Sequence, residues 1–136
     1  MKRLIAALLL VCCLSVPALA KGKAVPNLVG TWRAEVFHLH HGKHGFISSQ
    51  DKDAKLTVTD QKGRIFHGTV EWGGAAPGKD TVSGVIDKDN KSFYMIGHSD
   101  GVRIGKMEGP DAFTFYYLSP GQPNPRAGYV EYKRVK

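Results

Sequence analysis

The feature that most constrains this fold is a two-residue alternation of apolar and polar side chains, which recurs in short segments separated by turn residues. In the first segment, residues 28–37, the polar Thr31 and Arg33 alternate with apolar neighbours. The apolar face of this segment comprises Leu28, Gly30, Trp32, Ala34 and Val36. Successive side chains of a β-strand point to opposite faces, so this period predicts strands. No apolar period near 3.6 residues persists along the chain, and the fold class is therefore predicted to be all-β.

Eight such segments follow one another, and together they predict a closed barrel. They span residues 28–37, 55–60, 64–72, 81–87, 92–98, 102–108, 112–118 and 127–135. Short connections, such as the hairpin signal Asp100-Gly101, make consecutive strands antiparallel neighbours. An eight-stranded up-and-down meander can pair its first strand with its last, which removes both sheet edges. Mid-strand glycines favour the bends that closure needs, and they are Gly68, Gly84, Gly97 and Gly105. An open sheet and a two-sheet sandwich are the alternatives.

Residues 1–20 have the organisation of a secretory signal peptide. Lys2 and Arg3 precede an apolar stretch, and Pro17-Ala18-Leu19-Ala20 supplies small residues for cleavage after Ala20. The apolar stretch is shorter than the ~20 residues that a spanning helix needs. These features predict a periplasmic or secreted protein with no membrane segment after cleavage. A retained anchor and lipidation near the two cysteines are the alternatives.

Residues 21–136 are predicted to form a single β-barrel domain that contains no cysteine. Of the 136 residues, cleavage removes 20, including Cys12 and Cys13, and leaves 116. The net charge falls from +7 to +5 because Lys2 and Arg3 are lost. Without disulfides the domain depends on its apolar core. The basic residues are scattered and do not alternate with aromatic residues, so nucleic-acid binding is not predicted.

Three residues resemble a motif of the calycin superfamily, which comprises lipocalins, fatty-acid-binding proteins and avidins. They are Gly30 and Trp32 on the first predicted strand, and Arg134 near the C-terminus. The resemblance implies a small barrel in which Trp32 packs at one end and the basic side chain of Arg134 lies over it. The strand Phe66-x-Gly68-x-Val70 is more similar to avidins than to full lipocalins. The resemblance covers the outline of the barrel and implies a fold, and no particular ligand.

Aromatic residues recur on the inward phase of the predicted strands. The seven candidates for a ligand pocket are Trp32, Phe66, Trp72, Phe93, Phe113, Phe115 and Tyr117. Small barrels commonly hold a ligand in their interior or at their mouth. These residues therefore predict non-covalent binding of a small apolar or aromatic molecule. The alternative is that they only fill the core, since the interior of an eight-stranded barrel is just wide enough for side chains.

A histidine-rich segment, residues 38–50, is predicted to be a loop and offers a second function. Four of the six histidines fall within it, at His38, His40, His41 and His44. Neutral imidazole is a common ligand of Zn and Cu. If the first strand continues, His38 and His40 share a face, and one of the other two can fold back as a third ligand. Divalent-metal binding is therefore the alternative function, against a solvated polar loop.

The sequence contains no catalytic motif, which favours a binding protein over an enzyme. A protein-binding or inhibitor module remains open, with residues 73–78 and 119–126 as contact loops. Val85, Tyr94 and Ile96 fall off the inward phase of their strands. These three side chains are expected to lie outside the barrel, where they form part of a partner surface or a homodimer interface.

Overall fold

The computed structural model of the chain describes residues 24–49, 54–73, 77–121 and 124–136. The predicted signal peptide and both cysteines lie outside these residues. The described part of the chain contains nine β-strands and no helix. It therefore has no helix that is long and apolar enough to cross a membrane. The strands are β1 (Gly30–His41), β2 (Gly45–Ser49), β3 (Lys55–Lys62), β4 (Ile65–Trp72), β5 (Gly78–Ile86), β6 (Ser92–Gly97), β7 (Val102–Gly109), β8 (Ala112–Ser119) and β9 (Arg126–Arg134).

Eight of the strands form a closed antiparallel barrel with up-and-down topology. From β3 to β9 each strand pairs with the next, and β1 pairs with β3 on one side and with β9 on the other. The closing pair runs from Trp32 opposite Arg134 to His41 opposite Arg126. The predicted all-β class and the predicted eight-stranded meander barrel are confirmed.

The predicted loop at residues 38–50 is wrong where the structure describes it. β1 continues to His41, and β2 folds back on it as a ninth strand, with His38 opposite Ser48 and His40 opposite Phe46. This is possible because β3 pairs only with residues 30–33 of β1, which leaves the edge of the later residues for β2. The glycines that favoured a loop instead flank a tight turn.

A β-bulge in β1 changes which side chains face the core. The register against β9 shifts between Ala34 and Val36, and the extra residue of a bulge reverses the alternation that follows it. Phe37, and not Val36, consequently packs against the core. The predicted apolar face is therefore right as far as Ala34 and wrong at Val36.

Mid-strand glycines make room for aromatic rings of the neighbouring strand. Phe66 lies opposite Gly84, and a Cβ on that glycine would come within 2.2 Å of the Phe66 ring. Phe93 lies opposite Gly105 in the same relation, with a Cβ only 2.0 Å from the ring. The rings cover the glycine backbone, so these positions serve core packing.

We expect Gly68→Ala to lower the free energy of unfolding by about 1–3 kcal/mol. Its Cβ would lie 2.2 Å from the carbonyl oxygen of Thr57, which is backbone of the neighbouring strand and cannot rotate away. Urea denaturation followed by circular dichroism measures the effect. Gly109→Ala is the matched control, because a Cβ there meets no atom within 4 Å. Equal midpoints for the two variants would contradict the packing argument.

Candidate ligand site at the Arg103 end of the barrel

The end of the barrel at Trp32 is closed by side chains. The Trp32 ring is fully buried, and its Nε1 donates a hydrogen bond of 2.9 Å to the carbonyl oxygen of Leu28. The guanidinium of Arg134 lies over this ring, with its central carbon 4.0 Å from the ring centroid. A cation over an indole face is a favourable contact, and it strengthens when both groups are shielded from water.

Two backbone carbonyl groups and the Asp111 carboxylate hold Arg134 in this position. Its Nη1 donates to the carbonyl oxygen of Val29 at 2.8 Å, its Nη2 to that of Asn27 at 2.7 Å, and its Nε to Asp111 at 3.0 Å. Gly30 permits the close approach, because its φ is +130° and a Cβ there would lie 3.2 Å from Nη1. The three residues of the calycin resemblance therefore lie together as a structural plug, while membership of that superfamily stays a prediction.

Five of the seven aromatic residues predicted to line a pocket pack on one another. Each is at most 3% exposed, and they are Trp32, Phe66, Phe93, Phe113 and Phe115. The Phe113 centroid lies 4.7 Å from that of Trp32 and 5.1 Å from that of Phe93. The interior at this end is thus a filled core. Trp72 and the half-buried Tyr117 lie toward the opposite end.

At that opposite end the interior is polar, although the sequence predicted only aromatic residues inside the barrel. Asp80 on β5 and Arg103 on β7 are only 5% and 4% exposed. Asp80 Oδ1 accepts hydrogen bonds from the backbone N–H of Ser99 at 3.0 Å and from its hydroxyl at 2.8 Å. Arg103 Nη1 is buried and has no hydrogen-bond partner. Burial lowers the pKa of Arg103, and the nearby Tyr117 and Asp80 oppose that shift.

Gly97 forms a cradle between these two charged groups. A Cβ on Gly97 would lie 2.2 Å from Asp80 Oδ2 and 2.9 Å from Arg103 Nη1. The carboxylate and the guanidinium therefore converge on the same point, yet no ion pair joins them in the described part of the chain. Arg103 Nη1, which has no acceptor in the described residues, can donate a hydrogen bond to an oxygen atom of a ligand.

Asp100 organises the rim of this site. One of its oxygens accepts from the Ser119 hydroxyl at 2.6 Å, and the other accepts from the Tyr117 hydroxyl at 3.1 Å. Arg126 Nη2 forms an ion pair with the second oxygen. The hydrogen bond from Ser119 is the main cause that lowers the pKa of Asp100. The carboxylate therefore stays ionised and holds Tyr117 and Arg126 in place.

The Tyr117 ring contacts two guanidinium groups. Its centroid is 4.9 Å from the Arg103 guanidinium carbon and 6.0 Å from that of Arg126. Arg126 Nε is, like Arg103 Nη1, a buried nitrogen without a hydrogen-bond partner. We call the group formed by Asp80, Arg103, Asp100, Tyr117 and Arg126 the polar end site.

The sequence does hold a signal for the polar end site. Asp80 is in phase with the inward Val82, and Arg103 is in phase with the inward Gly105. A charged residue at an inward position of a strand costs free energy unless it has a partner, so it marks a candidate site. The prediction of the pocket did not include Asp80 or Arg103, because it was based only on aromatic side chains at inward positions.

A groove of about 310 Å³ lies outside the barrel, beside the bulge of β1 and beside β7, whose register against β8 shifts between Met107 and Gly109. Its walls include the carboxylates Glu35, Glu108 and Glu131. Of the seven predicted pocket residues only Phe113 reaches it. In the described residues no group of three or more His, Cys, Asp or Glu side chains could hold a metal ion, so these carboxylates do not form a metal site.

The four candidate metal ligands are not brought together. His38 and His40 are exposed on the outside of β1, where His38 contacts Tyr129 and His40 contacts Phe46. Only His41 and His44 meet, with ring centroids 4.7 Å apart. Partial desolvation and the charge of His44 lower the pKa of His41.

We expect Zn(II) to bind only weakly, and through His41 and His44 alone. Replacing both by Gln should abolish the calorimetric heat, whereas the matched variant His38→Gln/His40→Gln should keep it. Binding should weaken as the pH falls through the lowered pKa of His41, because imidazolium has no lone pair to donate. Loss of the heat in the second variant would show that the strand histidines take part instead.

Comparisons with known proteins support the fold alone. No protein-family model and no curated protein matches this sequence. Among solved structures, a redesigned β-barrel matches with a TM-score of 0.53 and 8% sequence identity, over 84% of this chain and 100% of that chain. The barrel architecture is therefore shared with a designed protein, and the polar end site must be interpreted from its own chemistry.

Proposed function

We propose that this protein is a binding protein that holds a small organic ligand non-covalently in the polar end site. The observation that carries the proposal is the pair of buried guanidinium nitrogens without partners, Arg103 Nη1 and Arg126 Nε. Buried polar groups in folded proteins are nearly always hydrogen-bonded, because an unpaired one retains its full desolvation cost. A ligand that brings oxygen acceptors removes that cost.

The surroundings restrict the ligand further. Asp100 is paired with Arg126, whereas Arg103 forms no ion pair in the described residues, so the site can take a guest that carries one negative charge or an uncharged oxygen acceptor. Tyr117 offers an aromatic face beside both guanidinium groups. A planar apolar or aromatic molecule that ends in a carboxylate or a carbonyl group suits this combination of groups. The filled Trp32 end favours a compact guest over a long one.

The test uses two probes of the same shape, naphthalene-2-carboxylate and 2-methylnaphthalene, and follows quenching of tryptophan fluorescence. Trp72 is 38% exposed at the end of β4, beside Gly78, and serves as the reporter. We expect saturable binding of the carboxylate and much weaker binding of the hydrocarbon. Arg103→Met should weaken carboxylate binding by about 10- to 100-fold, the usual worth of a hydrogen bond to a charged group.

Arg33→Met is the matched control, since Arg33 is exposed on the outside of β1. It should leave the affinity unchanged. Equal affinities of the wild type, Arg103→Met and Arg33→Met for the carboxylate would overturn the proposal. Native mass spectrometry of untagged protein adds a second readout, because a bound organic mass that Arg103→Met loses would identify the natural guest.

We also propose that the chain is exported and cleaved after Ala20. The basic start, the apolar stretch and the small residues before that position support this proposal. The intact mass of the protein recovered from periplasm or medium tests it. A mass that still contains residues 1–20 would contradict cleavage.

A further inference from the structure

Apolar side chains form a continuous face on the outside of the barrel. In one row across the strands, Val85 lies opposite Tyr94, Tyr94 opposite Ile104, and Ile104 opposite Tyr116. In the next row, Ile96 lies opposite Val102 and Val102 opposite Leu118. We call these side chains the apolar outer face, and its members are Val85, Tyr94, Ile96, Val102, Ile104, Tyr116 and Leu118.

This face is exposed in the single chain. Its seven side chains are between 39% and 56% exposed. About half of seven side chains that each offer on the order of 150 Å² gives an apolar area on the order of 500 Å². The largest apolar patch of a typical monomer is ~300–600 Å² and is often functional. The apolar outer face is therefore as large as the patches that are often functional in monomers, and its shape and edge charges decide what it binds.

Exposed apolar side chains are concentrated on the outside of β5 to β8, and Ile65 of β4 adjoins the face beside Val85. At comparable heights the outside of β3 and β4 carries Thr57, His67 and Thr69, and that of β5 carries Thr81 and Ser83. A barrel that faces lipid all round would carry outward apolar side chains on every strand, whereas these strands carry polar ones. One-sidedness is typical of a face that packs against a single flat partner.

We infer that the apolar outer face is the contact surface of a homodimer. The face covers β5 to β8, which form a twisted antiparallel sheet, and two copies of one sheet share the same hand of twist and can pack face to face. The apolar centre plus a rim one side chain wide approaches the ~800 Å² that each partner of a stable interface buries. The two tyrosines within the face, Tyr94 and Tyr116, also fit the composition of interfaces, which are enriched in aromatic residues.

Charges at the edge favour a second copy as the partner. The row beside Ile104 and Tyr116 holds Lys106 opposite Thr114, and Thr114 opposite Glu131. This edge therefore presents both signs of charge. A two-fold interface brings each group against the partner's copy of the same surface, so mixed signs allow pairing. A strongly acidic or strongly basic partner would meet repulsion from one of the two groups.

The test is the oligomeric state of the protein, expressed from the full coding sequence and purified without a tag. Sedimentation velocity over a wide concentration range should show a reversible dimer. Ile104→Lys should raise the dimer dissociation constant by about 30-fold or more, as expected for a central contact. Leu118→Lys is a second, independent variant in the other row, and both should keep the wild-type circular dichroism spectrum.

Thr69→Lys is the matched control, because it places the same charge on the polar side of the barrel. It should leave the dimer intact. A wild type that is monomeric at every concentration, or a dimer that survives both face variants, would overturn the inference. Flotation of monomeric wild type with phosphatidylglycerol vesicles, lost in Ile104→Lys and kept in Thr69→Lys, would also overturn it and assign the face to a lipid surface.

Discussion

Replacing Trp32 by alanine is expected to lower the free energy of unfolding by about 3–5 kcal/mol. The indole is completely buried, with Phe113 on one side and the Arg134 guanidinium on the other. Its removal loses the transfer free energy of the ring and leaves a cavity. The strands around it are tied by ladder hydrogen bonds to both β3 and β9, so the cavity cannot easily collapse.

Trp72→Ala is the matched control for this experiment, since that indole is 38% exposed at the end of β4. The two variants lose the same atoms but differ in burial. Urea denaturation of both should give a much larger shift of the midpoint for Trp32→Ala. Similar shifts would mean that the Trp32 end relaxes around the missing ring, and the plug formed by Arg134 would then be dispensable.

Replacing Asp80 by alanine is expected to lower the free energy of unfolding by about 3 kcal/mol. Asp80 is buried near Arg103, whose guanidinium is itself buried. Without the carboxylate, this cation loses its neighbouring negative charge inside the barrel. Asp80 also accepts two hydrogen bonds from Ser99, which lose their acceptor. Both losses act in the same direction.

A double-mutant cycle separates the two causes. Asp80→Ala combined with Arg103→Met should cost less than Asp80→Ala alone, because the unbalanced charge is then removed as well. Glu71→Ala is a surface control, since Glu71 forms ion pairs with Lys55 and Lys79 on the outside of the barrel. Its replacement should change the free energy of unfolding far less. Strictly additive costs in the cycle would show that Asp80 and Arg103 do not interact.

The polar end site and the apolar outer face can be tested independently, because each has its own variant and its own measurement. Arg103→Met should weaken ligand binding and leave dimerisation unchanged, because Arg103 is inward and the outer face is not. Ile104→Lys should have the opposite effect, although Ile104 is the next residue along β7. Adjacent residues on a strand thus serve the two surfaces of the barrel wall.

Local sequence patterns were enough to predict the class of fold, most of the strands and the order in which they pair. Alternation and turn residues are local properties, and in a meander the neighbour in sequence is also the neighbour in space. The same alternation placed Val85, Tyr94 and Ile96 on the outside. Only their joining with four further side chains into one face needed the register between strands.

Three features depend on contacts between distant parts of the chain. They are the bulge in β1, the pairing of β2, and the division of the barrel interior into an apolar core and the polar end site. The bulge depends on the register against β9, which lies about a hundred residues away in the sequence. The residues around Ala34 therefore do not predict it. His38, His40 and His41 are strand residues because β3 pairs only with residues 30–33 of β1, which leaves the later residues free to pair with β2. Finally, Asp80, Arg103 and Arg126 come from three different strands, and closure of the barrel brings them to one end of its interior. Burial there makes an unpaired charge costly, which an exposed side chain does not experience.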